Sequence, residues 1–245
     1  MNRSNYILFV CLLICFGLLY GFAWVRDYNR VVEPELKINL KNQGESYFVS
    51  QEIVQDILQK NHPDLFQSKT KDLDLRSIEN TLDSGEQIKK AEVYLDKKGS
   101  LCADITQQVA TARIKTSRNQ YYLNPENETF GLSKNYSADV ILVSGEIKPE
   151  DLKPLNELIS FINEDNLLRK HIIGIEKTSP ESFNLMVNLG AYIIVFGKLE
   201  DFEKKFEKLK LFYAQYLGQT GMSYYKKLDL TFDNQIVATK TENGK

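Results

Sequence analysis

The stretch AEVYLDKKGSLCADIT spans Ala91–Thr106 and contains two runs in which apolar and polar residues alternate. This period of two predicts two half-buried β-strands, each with one apolar face. Between the runs lie Lys97, Lys98, Gly99 and Ser100, a composition typical of a tight turn. The stretch therefore predicts a β-hairpin, and its apolar face is carried by Ala91, Val93, Leu95, Leu101, Ala103 and Ile105.

One strand and two helices are predicted upstream of the hairpin. Glu35–Leu40 alternates like a strand, Ser50 can cap a helix that buries Val54 and Leu58, and Asp74 can cap a second, shorter helix. The order strand, helix, helix, strand, strand gives a three-stranded layer with two amphipathic helices to cover it. Residues 35–115 are therefore predicted to form one closed α+β unit.

The second half of the chain predicts a mixed β-sheet domain with two helices over residues 116–240. Pro149 suits the first turn of one helix, and an aromatic stripe predicts another over Leu199–Tyr216. The last strand is predicted over Leu228–Ala238 with a bend at Asp233 and Asn234, and residues 241–245 as a disordered tail. The remaining predicted strands are Gln120–Leu123, Ala138–Val143, His171–Lys177, Ser182–Asn188 and Tyr192–Phe196.

The N-terminal segment carries no charge from Tyr6 to Val25, a run of about 30 Å as a helix. We therefore expect a cytoplasmic tail over residues 1–5, a transmembrane helix over 6–25 and a linker over 26–34. A cleaved signal peptide is the alternative, but Phe22–Val25 offers no small-x-small cleavage site. Positive charges flank the run on both sides, so charge alone does not give the orientation; the short tail favours a cytoplasmic N-terminus.

Composition and motifs argue against catalysis and nucleic-acid binding. The formal net charge is -2, so there is no basic surplus to neutralise phosphates. Cys102 stands alone in the soluble part, and neither His62 nor His171 has a second ligand at metal-binding spacing. Phosphate loops, nucleophile elbows and zinc motifs are missing from the sequence. We therefore expect a protein-binding module with no enzymatic activity, no cofactor and no small-molecule substrate.

Several segments resemble one known family in order and spacing. Asp74–Leu82 is similar to the second helix of the FtsQ/DivIB family of bacterial cell-division proteins, and Gln107–Ile114 partly matches the segment that follows its hairpin. Leu228–Val237 is similar to the closing segment of that family, with Thr231 where an arginine is usual. The unit over residues 35–115 looks like a POTRA domain, and the overall resemblance is to Bacteroidetes-type members.

The resemblance implies a scaffold of the division machinery, the divisome. Such proteins have a single transmembrane helix in the inner membrane, a cytoplasmic N-terminus and a periplasmic C-terminal domain, and they act at the division septum. They bind FtsB- and FtsL-type bitopic division proteins through the β domain and contact other divisome proteins. An anchored POTRA protein of outer-membrane assembly or secretion is the alternative; it would need a barrel or tandem POTRA repeats, which this sequence does not contain. An anchored enzyme with an unfamiliar site is a more remote alternative.

The C-terminal strand is the predicted partner-binding site. After the bend no later strand can cover it, so its backbone groups could be completed by a strand from another chain. The predicted site residues are Phe232, Asn234, Gln235, Ile236, Val237 and Ala238.

Overall fold

The protein was analysed as a computed structural model, which describes residues 3–28, 30–42, 44, 47–217, 221 and 223–241. The chain divides into two compact units, Met1–Gln107 and Gln108–Lys245. Both units combine helices and strands, so the predicted α+β class is confirmed.

The first helix, α1, covers Arg3–Tyr28, and its window Phe9–Arg26 has a mean hydropathy of 2.0 and no buried residue. It is the one helix among the described residues that is long and apolar enough to cross a membrane. The helix is longer than the predicted 6–25 at both ends, because charged residues such as Arg26 can extend a helix at its ends without being buried. Residues 1 and 2 of the predicted tail lie outside the described part.

The first unit contains β1 (Glu33–Leu40), α2 (Gln51–Asn61), α3 (Leu75–Asp83), β2 (Ile88–Leu95) and β3 (Ser100–Gln107). Its described strands form the first sheet, in the order β1-β3-β2. β2 and β3 are the antiparallel arms of the predicted hairpin, whereas β1 runs parallel to β3. The predicted order of elements is therefore confirmed.

Local side-chain chemistry explains the ends of these elements. At the hairpin turn the carboxylate of Asp96 accepts from the amides of Lys98 and Ser100, at 2.8 and 2.9 Å, and Gly99 adopts a φ of +86°. Ser50 caps α2, and the Asp74 carboxylate caps α3 by accepting from the amide of Ser77 at 3.0 Å.

The second unit is built on one large sheet, the second sheet. Its nine described strands follow the order β12-β11-β10-β9-β8-β7-β4-β5-β6. Pairing is mixed: β4 with β7, β7 with β8, and β10 with β11 are parallel. The strands are β4 (Ala112–Lys115), β5 (Gln120–Leu123), β6 (Thr129–Phe130), β7 (Ile141–Ser144), β8 (Ile172–Ser179), β9 (Ser182–Val187), β10 (Ile193–Gly197), β11 (Tyr225–Asp229) and β12 (Val237–Lys240).

The core of the second unit lies between this sheet and the helices α4 (Pro149–Glu164) and α6 (Phe202–Phe212). A short α5 (Asn166–His171) follows α4, and a π-helical turn, Tyr213–Leu217, follows α6. Apolar residues of α4 and α6 pack with alternate residues of the strands, which gives the sheet one helix-covered face. The main core side chains are Ile114, Val143, Leu155, Leu158, Ile159, Ile162, Ile175, Leu185, Ile194, Phe206, Leu209 and Leu228.

The structure corrects three predicted boundaries. The two units separate after Gln107, not at 115/116, because Ala112–Lys115 pairs with β5 and β7 in the second sheet. His171 ends α5 instead of starting a strand. Asp165 caps the start of α5 by accepting from the amide of Leu168 at 3.0 Å, and at the other end the amide of Ile172 donates to the carbonyl of Leu168. The helix predicted over Leu199–Tyr216 begins only at Phe202, after a left-handed Asp201, and widens into the π-helical turn at Tyr213–Leu217.

The predicted bent strand over Leu228–Ala238 is also corrected. It consists of the end of β11, a connection over residues 230–236, and the start of β12, which returns antiparallel to β11. Alternating apolar residues on both sides of the bend resemble one strand, but Asp233 and Asn234 form a full reversal of the chain. Residues 242–245 of the predicted tail lie outside the described residues.

Candidate partner-binding edge

The described strands of the two sheets include four edge strands, β1 and β2 in the first and β6 and β12 in the second, and these differ in how far other residues already occupy their backbone groups. β6 has two residues and is too short to template another strand. The amides of Ala91 and Val93 on β2 donate to the carboxylates of Asp83 and Glu79 of α3, at 2.6 and 3.1 Å. Those amides are therefore unavailable to a partner strand, and β1 and β12 remain as edges.

The β1 edge is partly covered by its own unit. The amide of Val32 donates to the carbonyl of Ser68 at 3.1 Å, and the amide of Thr70 donates to the carbonyl of Arg30 at 2.9 Å. Further along, the side-chain amide of Gln51 reaches the carbonyl of Ile38 at 3.4 Å. These contacts leave β12 as the less obstructed edge among the described strands.

The direction of the β12 backbone groups follows from its pairing. The amide of Thr241 donates to the carbonyl of Tyr224 at 3.0 Å, so the Thr241 amide points toward β11. Because antiparallel strands alternate, the amides of Val237 and Thr239 also point toward β11, and those of Ala238 and Lys240 point away. The outer edge of β12 thus offers two amides to an added strand.

The predicted site residues do not all lie on this strand. Phe232, Asn234 and Gln235 belong to the exposed connection before β12, and the Phe232 side chain is 46% exposed. Ile236 and Ala238 are half-buried and pack against the core. Val237 is 38% exposed. Val237 and Ala238 therefore lie in β12, and the other four predicted site residues lie in the connection before it. The role of these residues in binding stays a prediction.

The start of the connection is tightly fixed. The amide of Leu230 donates to the carbonyl of Val195 at 2.9 Å. The carboxylate of Asp229 accepts from both the amide and the hydroxyl of Thr231, at 3.1 and 2.6 Å. Gly197 has a φ of +76°, and a Cβ there would lie 2.8 Å from the Thr231 methyl group. The turn therefore packs closely on the end of β10.

The side chain of Lys208 of α6 contacts three backbone carbonyls of the connection. Its ammonium donates to the carbonyls of Leu230 at 3.4 Å, Phe232 at 2.5 Å and Asp233 at 3.1 Å. The sequence gives no signal for this contact, because Lys208 stands in a helix with many lysines and its acceptors are backbone atoms.

An aromatic cluster lies beside the far end of β12. The Phe212 ring stacks on Tyr216, with centroids 5.2 Å apart, and meets Tyr225 edge-on at 5.3 Å. The Lys240 ammonium lies 5.1 Å from the centroid of the Tyr224 ring, and a hydrogen bond to Tyr224 raises the pKa of Lys240. Tyr216 is half exposed, so this end of the edge offers aromatic surface to a partner.

The candidate chemical residues are placed in structural roles. Cys102 is buried in the first sheet. His62 contacts the hydroxyl of Thr81 at 3.0 Å, and His171 contacts two tyrosine hydroxyls inside the second unit. Within the described ranges no three His, Cys, Asp or Glu side chains are grouped to hold a metal ion.

Comparison with known families agrees with this architecture. The model of the family described as "FtsQ/DivIB, C-terminal related" matches residues 110–239, more than half of the 245-residue chain. The chain belongs to the FtsQ/DivIB family. A POTRA-like domain model matches residues 34–106, which correspond to the first sheet and its helices. No curated protein matches the chain.

The FtsQ/DivIB family is a family of non-enzymatic division scaffolds, and the two matches confirm the predicted resemblance. The family match ends at residue 239, within β12, so the candidate edge belongs to the part of the chain that carries the FtsQ/DivIB signature.

Proposed function

We propose that this chain is a membrane-anchored scaffold of the bacterial divisome, which binds FtsB- and FtsL-type partners outside the cytoplasm by strand addition at β12. The observation that carries the proposal is the open edge of β12 inside the segment that matches the FtsQ/DivIB family. Extended segments bind such edges through main-chain hydrogen bonds, which need no catalytic group.

The anchor in this proposal is α1. A window of 18 residues, Phe9–Arg26, with mean hydropathy 2.0 suits a single crossing of the hydrocarbon core. The N-terminus lies in the cytoplasm and both folded units lie in the periplasm, so the scaffold presents its edge to partners that are themselves anchored in the same membrane.

Localisation tests the divisome part of the proposal. A fluorescent protein that folds in the periplasm, fused after Lys245, is expected to concentrate at midcell in dividing cells. Uniform fluorescence around the envelope, from a fusion that restores division to a depleted strain, would contradict a septal role and favour another envelope function.

Proline at Ala238 tests the binding edge. The Ala238 amide points away from β11, so Ala238→Pro removes an outward donor and leaves the pairing of β12 with β11 in place. Binding of the FtsB-type protein from the same genome, measured with the full chain in detergent micelles, is expected to weaken by about tenfold or more. The melting temperature is expected to stay near the wild-type value.

Two control variants separate edge binding from general damage. Thr239→Pro removes an inward amide and is expected to lower the melting temperature, because it breaks the β11–β12 ladder. Ala238→Ser keeps the outward amide and is expected to bind like the wild type. If Ala238→Pro folds and binds with wild-type affinity, β12 is not the docking edge.

A further inference from the structure

The connection over residues 230–236 depends on few contacts after Thr231. Between described residues, 231–236 make no hydrogen bond from backbone to backbone outside the strands. Asp229 fixes Thr231, but Phe232 and Asp233 are exposed. Asp233 and Asn234 form the turn itself, so a side-chain contact from outside the connection can fix where that turn lies relative to the sheet.

Lys208 provides that group from a rigid element. It lies one residue before the fully buried Leu209 of α6, so the stem of its side chain starts from a packed helix. An ammonium has three N–H donors, and three carbonyls of the connection lie around it, at 2.5 to 3.4 Å. All the donors of one side chain can therefore be directed to one reversal of the chain.

We propose that Lys208 is the positioning residue of the docking edge. By holding the carbonyls of Leu230, Phe232 and Asp233, it orders the connection and keeps β12 in its binding position before a partner arrives. Ordering the edge in the free protein lowers the conformational entropy that is lost on binding. This inference rests on the proposed function only where it concerns partner affinity; the effect on β12 order is independent of any partner.

Hydrogen exchange on the free, full-length chain in detergent micelles tests the ordering. In Lys208→Met, the amides of Val237 and Thr239 are expected to exchange about tenfold faster or more than in the wild type, while the amides of β8 and β9 are unchanged. Lys208→Arg keeps the charge and the N–H donors and is expected to restore most of the protection. Lys204→Met is the matched control, because Lys204 is exposed and its nearest partner, Asp201, is 3.7 Å away.

Affinity for the FtsB-type protein from the same genome gives the second measurement. Lys208→Met is expected to weaken binding by about tenfold with little change in melting temperature, and Lys208→Arg to recover most of it. Unchanged exchange at Val237 and Thr239, or exchange that rises across the whole second sheet, would overturn the positioning role. Wild-type affinity in Lys208→Met would also overturn it. If the wild type itself does not bind, the proposed function fails, and the exchange result still decides the role of Lys208.

Discussion

His171 is the last residue of α5, and its imidazole is buried against two tyrosines. Its Nε2 lies 2.8 Å from the hydroxyl oxygen of Tyr192 and 3.0 Å from that of Tyr213, and the Tyr192 hydroxyl donates to Tyr213 at 3.0 Å. Burial lowers the pKa of His171 and raises the pKa values of both tyrosines. The three side chains are therefore neutral near pH 7 and join α5, the start of β10 and the π-helical turn.

The depressed pKa of His171 predicts a pH-dependent stability. Unfolding returns the imidazole to its usual pKa of about 6.5, so below that pH the unfolded chain binds a proton that the folded chain does not. The free energy of unfolding is therefore expected to fall as pH drops below about 6.5, by at most about 1.4 kcal/mol per pH unit from this group. Urea unfolding at a series of pH values measures the slope.

The comparison variant for this slope is His171→Gln, which keeps a polar group beside Tyr213 but does not titrate. Its slope between pH 5 and 7 is expected to be smaller than that of the wild type. Equal slopes in the two proteins would show that His171 keeps its usual pKa in the folded state.

At the scale of elements, the first turn of α4 is joined to β8 by a buried ion pair. The ammonium of Lys177 lies 2.5 Å from the carboxylate of Asp151, and their side chains are only 4% and 11% exposed. The same carboxylate accepts from the amide of Lys148 at 2.7 Å and so caps α4. Gly145 makes room for this arrangement, because a Cβ there would lie 2.6 Å from the carbonyl oxygen of Lys177.

Breaking this pair from one side is expected to be costly. Lys177→Met leaves the Asp151 carboxylate buried without its cation, and such losses amount to about 3–5 kcal/mol. Asp151→Asn in the same background is expected to recover part of that loss, since the amide stays neutral and can still cap α4. Chemical denaturation of the two single variants and the double variant gives the coupling energy.

An exposed ion pair serves as the reference for the buried pair of Lys177 and Asp151. Lys198 and Glu181 lie 3.1 Å apart, but their side chains are 58% and 74% exposed. Lys198→Met is therefore expected to leave the free energy of unfolding nearly unchanged. A loss at Lys177 no larger than this would mean that water reaches the Asp151 carboxylate.

The sequence predicted correctly those turns and helix ends that depend on residues close together in the chain. The hairpin turn at Gly99 and the cap at Asp74 depend on residues within a few positions, so the sequence identified them. The strand Ala112–Lys115 was missed because its four residues acquire strand character only through β5 and β7, which come later in the chain. A bend at Asp233 and Asn234 was predicted, but the full reversal before β12 was not, and the carbonyls of Phe232 and Asp233 are contacted by Lys208 of α6, which lies far away in the sequence.

At the scale of the whole molecule, family membership and the two units agree with the sequence prediction, and only the position of the boundary differs. The predicted edge segment ends the second sheet, yet which amides of β12 point outward could not be read from the sequence. The alternation of inward and outward amides along β12 depends on its register with β11. An extra residue in β11, Lys226, shifts that register between Tyr225 and Lys227.

The proposed topology gives a prediction for the whole chain. Alkaline phosphatase fused after Lys245 is expected to be active in cells, because it folds only outside the cytoplasm, and green fluorescent protein at the same position is expected to be dark. The same fusions to a chain without residues 1–30 are expected to show the opposite result, since α1 is then missing. A bright fluorescent fusion on the intact chain would place the folded units in the cytoplasm.

The parallel pairing of β1 with β3 also has a kinetic consequence. Lys37 is opposite Cys102, and β3 ends at Gln107, so the central strand of the first sheet leaves the ribosome long after β1. During synthesis β1 has no strand to pair with until the β2–β3 hairpin has been made. Pairing between strands far apart in the sequence forms slowly. During that interval Leu36, Ile38 and Leu40 are exposed to other chains, and the positive charges of Lys37 and Lys41 on the opposite side disfavour self-association of the unfolded segment.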